Sequence, residues 1–265
     1  MKIYLLGDTG DYSNEFKKII NEIKKDKSQK IFIFLGDNFY PNGVNSINDI
    51  KWKDFENLNT NCQIYSILGN HDYLGNVKSQ IEYNKNNWSM PYFYYKKTFK
   101  FIDLFFIDTS ILLPEFSNLN YNIVKSKTLK EPLELSKEMI DWLKDELKKS
   151  SNLKMVIGHY PILSYGIYGV NKRLFKILYP IFKEYKVKYY ISGHDHNLQI
   201  IDIVSSNFEM KQIISGATSH LYPIKNGSDK IFSQFGSIMI DCKELTLNIL
   251  DINSKTLFSE DLVLV

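Results

Sequence analysis

Five short apolar runs in this 265-residue chain each end in a glycine followed by residues that can bind a metal ion. Lys2–Leu6 runs into Gly7-Asp8-Thr9-Gly10, and Ile31–Leu35 into Gly36-Asp37-Asn38-Phe39-Tyr40. Gln63–Leu68 runs into Gly69-Asn70-His71-Asp72, Lys154–Ile157 into Gly158-His159-Tyr160-Pro161, and Tyr189–Ser192 into Gly193-His194-Asp195-His196-Asn197. Apolar runs of this length read as buried strands. In an open α/β sheet the carboxyl ends of such strands are where sites assemble. Glycine permits the sharp turn and close backbone approach that bring the next side chains to a shared centre. Singly, a Gly-Asp at a strand end is a turn and a lone His is a core residue. Jointly, the five ends point to a metal site. They hold four of the chain's five histidines, His71, His159, His194 and His196, with only His220 elsewhere.

The donors are carboxylates, one amide, one phenol and imidazoles, without a thiolate. That set suits Fe, Mn or Zn better than Cu(I) or a cluster. A carboxylate shared between two ions would hold them about 3.5–4 Å apart, the spacing of two-metal hydrolases. Alternation along an extended segment places both imidazoles of His194-x-His196 on one side.

The rest of the chain alternates strands with amphipathic segments and then turns β-rich. Glu15–Lys25 carries Phe16, Ile19, Ile20 and Ile23 at helical spacing. Leu135–Lys149 carries Met139, Trp142, Leu143 and Leu147 on one face. Arg173–Tyr185 reads as a helix that Pro180 kinks or breaks. Phe93–Tyr95 and Phe101–Ile107 read as strands paired around a turn at Lys96–Lys100. After His196 come strands at Leu198–Val204, Glu209–Ser215, Gly236–Asp241, Leu245–Asp251 and Leu257–Val263. The pattern suggests an α/β fold with a mixed sheet, or two stacked sheets, in one domain over residues 1–265. Pro114–Pro132 is a long connection with little periodicity, of the kind that forms lids or disordered segments.

Composition narrows the partners. A formal charge of +3, from 33 basic and 30 acidic residues, does not argue for nucleic acid or an anionic membrane. No stretch approaches the roughly 18 apolar residues of a membrane span, and the first apolar run is too short for a signal sequence. We expect a soluble protein, and a monomer. Cys62 and Cys242 form no Cys-x-x-Cys pair and are expected to be buried thiols.

The five blocks resemble those of the calcineurin-like metallophosphoesterases. Tyr40 within Gly36-Asp37-Asn38-Phe39-Tyr40 narrows the resemblance to the purple acid phosphatases, and Gly69 to Val77 and Gly193 to Gln199 to the mammalian tartrate-resistant type. The likeness extends through the final strands, from Gly236 to Leu262. It implies two stacked mixed sheets flanked by helices, and a phosphoric monoester hydrolase acting on a phosphorylated small molecule or phosphoprotein at two metal ions. Asp8, Asp37, Tyr40 and His196 would hold Fe(III). Asp37, Asn70, His159 and His194 would hold Fe(II), Zn(II) or Mn(II). A metal-bound hydroxide would attack, and His71 would protonate the leaving group. The mammalian pattern has a further His nine residues after His159, where this chain has Tyr168. Tyr168 and His220 are therefore candidate substrate-binding residues, and reduced activity or a changed pH optimum is expected. Pro114–Pro132 matches a segment that covers the site in the mammalian type and is cut there, with Lys125, Lys127 and Lys130 as cleavage candidates. The alternatives are a phosphodiesterase or protein phosphatase of the same superfamily, or a catalytically weak scaffold on the same fold.

Overall fold

The computed structural model describes residues 1–113, 132–225 and 230–263. One sheet is built from β1 (Lys2–Leu6), β2 (Lys30–Phe34), β3 (Gln63–Ser66) and β4 (Trp88–Ser89), which run parallel. The other holds β5 (Tyr95–Phe99), β6 (Ile102–Phe106), β7 (Leu153–Ile157) and β8 (Tyr189–Ser192), then β9 (Leu198–Ser205), β10 (Phe208–Ser215) and β11 (Ile231–Phe232). The chain then returns to the first sheet with β12 (Gly236–Asp241), β13 (Thr246–Asp251) and β14 (Thr256–Asp261). The orders are β14-β13-β12-β1-β2-β3-β4 and β11-β9-β10-β8-β7-β6-β5, seven strands each. Both sheets are mixed: β12 meets β1 antiparallel, and β9 meets β10 antiparallel beside the parallel β6-β7-β8-β10 core. This is the two-sheet α/β architecture expected from the sequence.

The inner strands are apolar on both faces. Ile3, Leu5, Leu6, Ile33, Phe34, Val156, Ile157, Tyr190 and Ile191 are all excluded from solvent, as parallel strands covered on both sides must be. Helices supply the outer cover. In α1 (Asn14–Lys25) the stripe Phe16, Ile19, Ile20 and Ile23 is buried, and the Ser13 hydroxyl caps its start by accepting from the Phe16 amide at 3.1 Å. α2 (Trp52–Asn57) and α3 (Val77–Glu82) are short and were not visible in the sequence periodicity. α4 (Pro132–Lys149) begins three residues before the expected start, with Pro132 in its first turn, where a missing amide costs nothing. α5 (Lys172–Glu184) is capped by Asn171.

The two sheets are tied together at the end of β10. The Ser215 carbonyl accepts from the Gly7 amide (2.8 Å), and its hydroxyl donates to the Leu5 carbonyl (2.7 Å). The same hydroxyl accepts from the Ile238 amide of β12 (3.1 Å). One small side chain thus locks the second sheet to the first at the level where the ligand-bearing loops begin.

Three expectations change. Pro180 does not break α5, because the buried residues Leu174, Leu178, Ile181 and Phe182 hold the helix on both sides of it. The first strand of the hairpin starts two residues later than its apolar run suggested and continues to Phe99, while the second lies within Phe101–Ile107 as expected. Lys96 and Lys97 are strand residues, and the turn is Lys100-Phe101, with Lys100 at φ 52°. Cys62 is partly exposed, whereas Cys242 is buried, and both thiols are free. Of the Pro114–Pro132 connection, residues 114–131, including Lys125, Lys127 and Lys130, lie outside the described residues. Among the described residues no helix is long and apolar enough to cross a membrane.

Asp103 explains the hairpin register. Its carboxylate is buried opposite Thr98 and accepts from the Thr98 hydroxyl (2.6 Å), the Ser150 hydroxyl (2.6 Å) and the Asn152 amide (3.2 Å), with the Lys96 ammonium at 3.0 Å. Burial alone would raise its pKa, but these donors outweigh it and hold the carboxyl below its ordinary value. Asp103→Ala should cost about 1–3 kcal/mol by stranding those donors, measured by denaturant unfolding. The native pKa is the lower one, so the stabilisation is complete above the unfolded aspartate value of about 4. It fades as the pH falls through the folded value. The penalty for the substitution should therefore shrink on acidification.

Candidate metal centre

Every candidate ligand stands in a loop at the carboxyl end of a parallel strand. Asp8 follows β1, Asp37 and Tyr40 follow β2, and Asn70 and His71 follow β3, all in the first sheet. His159 follows β7, and His194 and His196 follow β8, in the second. The strand ends of the two sheets meet, and their loops face one another across the seam. Asp8, Asp37 and His194 adopt left-handed backbone conformations, with φ of 59°, 53° and 66°. Such angles are uncommon outside glycine and persist where the surroundings enforce them. Here they turn each side chain back toward the centre.

The geometry divides around Asp37. Its Oδ2 accepts from the Tyr40 hydroxyl (3.2 Å), while its Oδ1 accepts from the His71 amide (2.8 Å) and lies 3.6 Å from His159 Nε2. The Tyr40 hydroxyl also donates to Asp8 Oδ1 (3.2 Å) and lies 3.3 Å from His196 Nε2, which is itself 3.3 Å from Asp8 Oδ1. Asp8, Asp37, Tyr40 and His196 therefore form one group of donors. On the other side, Asn70 Oδ1 is 3.1 Å from His159 Nε2, and His159 Nε2 is 3.2 Å from His194 Nδ1. Asp37, Asn70, His159 and His194 form a second group, with Asp37 common to both. Ligand atoms of Asp8, Asp37 and His159 lie within 4.8 Å of one another, and all three residues are buried.

The electrostatics fit cations. Burial pushes the Asp37 carboxyl up, and the charge of Asp8 adds to it. Burial and the two flanking carboxylates drive the Tyr40 phenol far above its ordinary value. Burial, with repulsion from His159, holds His194 well below its ordinary value, so its imidazole stays neutral with a lone pair to offer. His159 Nδ1 lies 2.8 Å from the Leu35 carbonyl. That contact fixes the tautomer with the proton on Nδ1 and leaves Nε2 as a donor atom. Two buried carboxylates, a phenol squeezed between them and three converging imidazoles are costly together unless a positive charge sits among them.

The supporting shell was largely missed from sequence. The Thr109 hydroxyl accepts from the His159 and Tyr160 amides (3.1 and 3.0 Å). Asp72 accepts from the amides of Gly69 (2.9 Å) and Asn38 (3.1 Å) and from the Gln80 side chain (2.8 Å), with its carboxyl pushed up to about 7 by burial and by Asp37. Asp195 accepts from the Ser164 hydroxyl (2.5 Å) and the Asn197 side chain (2.9 Å), and Gln199 ties Ser164 to Asn197. Tyr222 stacks on His196 at 4.2 Å and 7°. A polar residue beside each ligand motif was the available signal: Asp72 two after Asn70, Asp195 between the two histidines.

The His194-x-His196 expectation is corrected. The segment is not extended, because His194 is left-handed and the Asp195 and Asn197 amides close tight turns on the Gly193 and Asp195 carbonyls (2.8 and 2.7 Å). The two imidazoles consequently serve different donor groups. His71 sits at the mouth, its Nδ1 2.7 Å from the Pro41 carbonyl and its ring edge-on to Tyr40 at 4.7 Å. Its Nε2 is left facing the centre, 4.0 Å from Asp37 Oδ2. His220 reaches the site, stacked near His196 (5.5 Å), edge-on to Tyr40 (5.7 Å) and paired with Asp11. Tyr168 lies over His194 with ring centroids 4.2 Å apart.

Comparison with known proteins places the chain in a family. Residues 1–198 match the family model for calcineurin-like phosphoesterases. The chain is 31% identical over 257 residues to rat tartrate-resistant acid phosphatase type 5, covering 86% of this chain and 77% of the relative. Among solved structures, Plasmodium GAP50, described as the anchor in the inner membrane complex, superposes with TM-score 0.77 at 22% identity over 100% of this chain and 89% of that one. The purple acid phosphatase PPD1 of yellow lupin superposes with TM-score 0.67 at 13% identity over 98% of this chain and 53% of that one. At those identities both likenesses concern the fold alone.

Close approach makes the centre sensitive to single atoms. A Cβ on Gly69 would fall on the Asp37 carboxylate and amide, and one on Gly193 would lie 2.6 Å from Asp8 Oδ2. Gly69→Ala should therefore lower the metal bound per chain, read by elemental analysis after dialysis, while far-ultraviolet circular dichroism stays close to wild type.

Proposed function

This chain belongs to the calcineurin-like phosphoesterase family, and from that premise we propose that it is an acid phosphatase of the purple type. It would hydrolyse phosphate monoesters at two metal ions that share Asp37. The observation that carries the reading is the division of donors around Asp37, with the Tyr40 phenol on one side only. Asp8, Asp37, Tyr40 and His196 would hold Fe(III). Asp37, Asn70, His159 and His194 would hold Fe(II), Zn(II) or Mn(II). A phenolate is a hard oxygen donor, which suits a trivalent ion on that side, as the likeness to the purple acid phosphatases implies.

When bound, the pair of ions supplies charge to neutralise the phosphate and acidity to activate water for in-line attack. The chain's own residues do the rest. Asp37 keeps both donor groups in register, because the His71 amide fixes its Oδ1 and leaves its Oδ2 on the Tyr40 side, 3.2 Å from the phenol oxygen. The Leu35 carbonyl keeps His159 Nε2 unprotonated and aimed at the centre. His71 has one ring nitrogen against the Pro41 carbonyl and the other toward the centre, so it is placed to hand a proton to the leaving alkoxide.

Two variants separate this reading from a phosphodiesterase, a protein phosphatase or an inactive scaffold on the same fold. The iron-loaded protein should show a visible tyrosinate-to-iron band that Tyr40→Phe removes. A colourless protein fully active with zinc or manganese alone would argue for the other members of the superfamily. Hydrolysis of para-nitrophenyl phosphate should disappear in Asp37→Ala. Equal turnover in that variant would place the activity elsewhere and sink the proposal. His71→Gln should cost about 10²–10⁴ in kcat for an alkyl phosphate. The loss should be much smaller for para-nitrophenyl phosphate, whose leaving group needs little protonation.

A further inference from the structure

A cleft of ≈ 520 Å³ opens against the donor groups, with His194 among its lining residues. Leu113, Tyr160, Pro161, Tyr168 and Val170 line it, together with the polar Asn171 and Lys172. The lining is mixed, and its aromatic part is the pair Tyr160 and Tyr168. Tyr168 and Val170 are 46% and 52% exposed, so each presents unused apolar surface. The Tyr160 and Tyr168 rings both lie against the His194 imidazole, at 4.1 and 4.2 Å. A flat group entering the cleft would meet ring faces next to a candidate metal ligand.

The wall is held in place. Ile162–Asn171 forms a small hairpin, with Leu163 bridged to Val170, the Ser164 amide donating to the Gly169 carbonyl (2.9 Å) and the Asn171 amide to Ile162 (3.0 Å). Its base is clamped by the Ser164 hydroxyl on Asp195 and by the Tyr165 amide donating to Gln199 Oε1 (2.9 Å). The Tyr165 carbonyl accepts from Lys225 (2.8 Å), fixing the other side. Gly166 packs so closely on Asp195 that a Cβ there would overlap its carboxylate. Tyr168 is therefore presented by a braced loop, and a ligand that stacks on it does not have to order it first.

We propose that this cleft is the leaving-group subsite and that Tyr168 makes it selective for planar aromatic groups over alkyl ones. The substrate class is then a phosphate monoester of an aromatic alcohol. The inference rests on the phosphatase reading only in seating the phosphoryl group at the His194 side of the metal centre. Stacking adds to the burial of apolar area because ring quadrupoles prefer offset and tilted contacts, a gain that an alkyl chain does not have.

The test uses two phosphonates that cannot be hydrolysed, 1-naphthylphosphonate and methylphosphonate, titrated calorimetrically into the metal-loaded protein. The same protein is assayed with 1-naphthyl phosphate and glycerol 2-phosphate. Wild type should bind the naphthyl compound more tightly. Tyr168→Ala should reduce the ratio of the two Kd values by about three- to tenfold, and Val170→Ser by less in the same direction. The ratio of kcat/KM values should move in parallel, which cancels the intrinsic reactivity of the two esters. An unchanged Kd ratio in both variants would overturn the inference. So would equal weakening of both ligands by Tyr168→Ala, which would mean that Tyr168 acts only by orienting His194. Failure of the wild type to bind either phosphonate would also overturn it. Selective binding of the naphthyl compound without hydrolysis of any ester would support the subsite and defeat the phosphatase reading.

Discussion

Across the seam between the two sheets the His194 amide donates to Asp8 Oδ2 at 2.8 Å. That bond joins a loop of β1 to a loop of β8, and much of the site depends on it. It occupies one oxygen of Asp8 and turns the other, Oδ1, toward Tyr40 and His196. It also needs His194 in a left-handed conformation and Gly193 without a side chain, since a Cβ there would press on the same oxygen. The Ser215 clamp does at the sheet ends what this bond does at the centre. The fold thus spends its polar contacts on holding two sheets in one relative position, and the donor groups inherit their spacing from it.

Such a centre is expensive to fold around. Asp8, Asp37 and His159 are buried, and the Asp8 and Asp37 carboxylates face each other through a single phenol. Three strained backbone positions add of order 1–3 kcal/mol each. The supporting hydrogen bonds offset part of that, for example the four donors gathered by Asp72 and the Thr109 hydroxyl beneath His159. Bound cations would offset the rest, because they bind the assembled donors and not the unfolded chain. Metal binding and the stability of the seam are then linked.

Much of this was legible in the sequence because it is written in local terms. An apolar run ending in Gly plus a donor says where a strand stops and what hangs from it, and all five such ends converge as the strand-end argument requires. The helices with a continuous apolar stripe were equally plain. What was hidden depends on contacts distant in sequence. The register of the β5-β6 hairpin is set by Asp103, which a search for apolar runs passes over. α5 survives Pro180 because its buried face outweighs one missing backbone bond. The separate duties of His194 and His196 come from a left-handed residue that alternation cannot foresee. His220, remote from every motif in sequence, is brought beside Tyr40 by the connection after β10.

Tyr168 is where the chain departs from the pattern its motifs share, and the structure gives that departure a physical meaning. A histidine beside the centre could carry positive charge in acid and attract phosphate, whereas a phenol cannot. Burial and neighbouring groups push the Tyr168 hydroxyl above its ordinary range, so it remains a neutral ring across the working pH of any acid phosphatase. Positive charge near the cleft comes instead from Lys172, which lines it beside Tyr168 and His194. Tyr168 offers an apolar face at its own position. The absence of a charge and the presence of a stacking surface are two consequences of having a phenol at that point. Selectivity among leaving groups can therefore change there while the donor groups around Asp37 stay as they are.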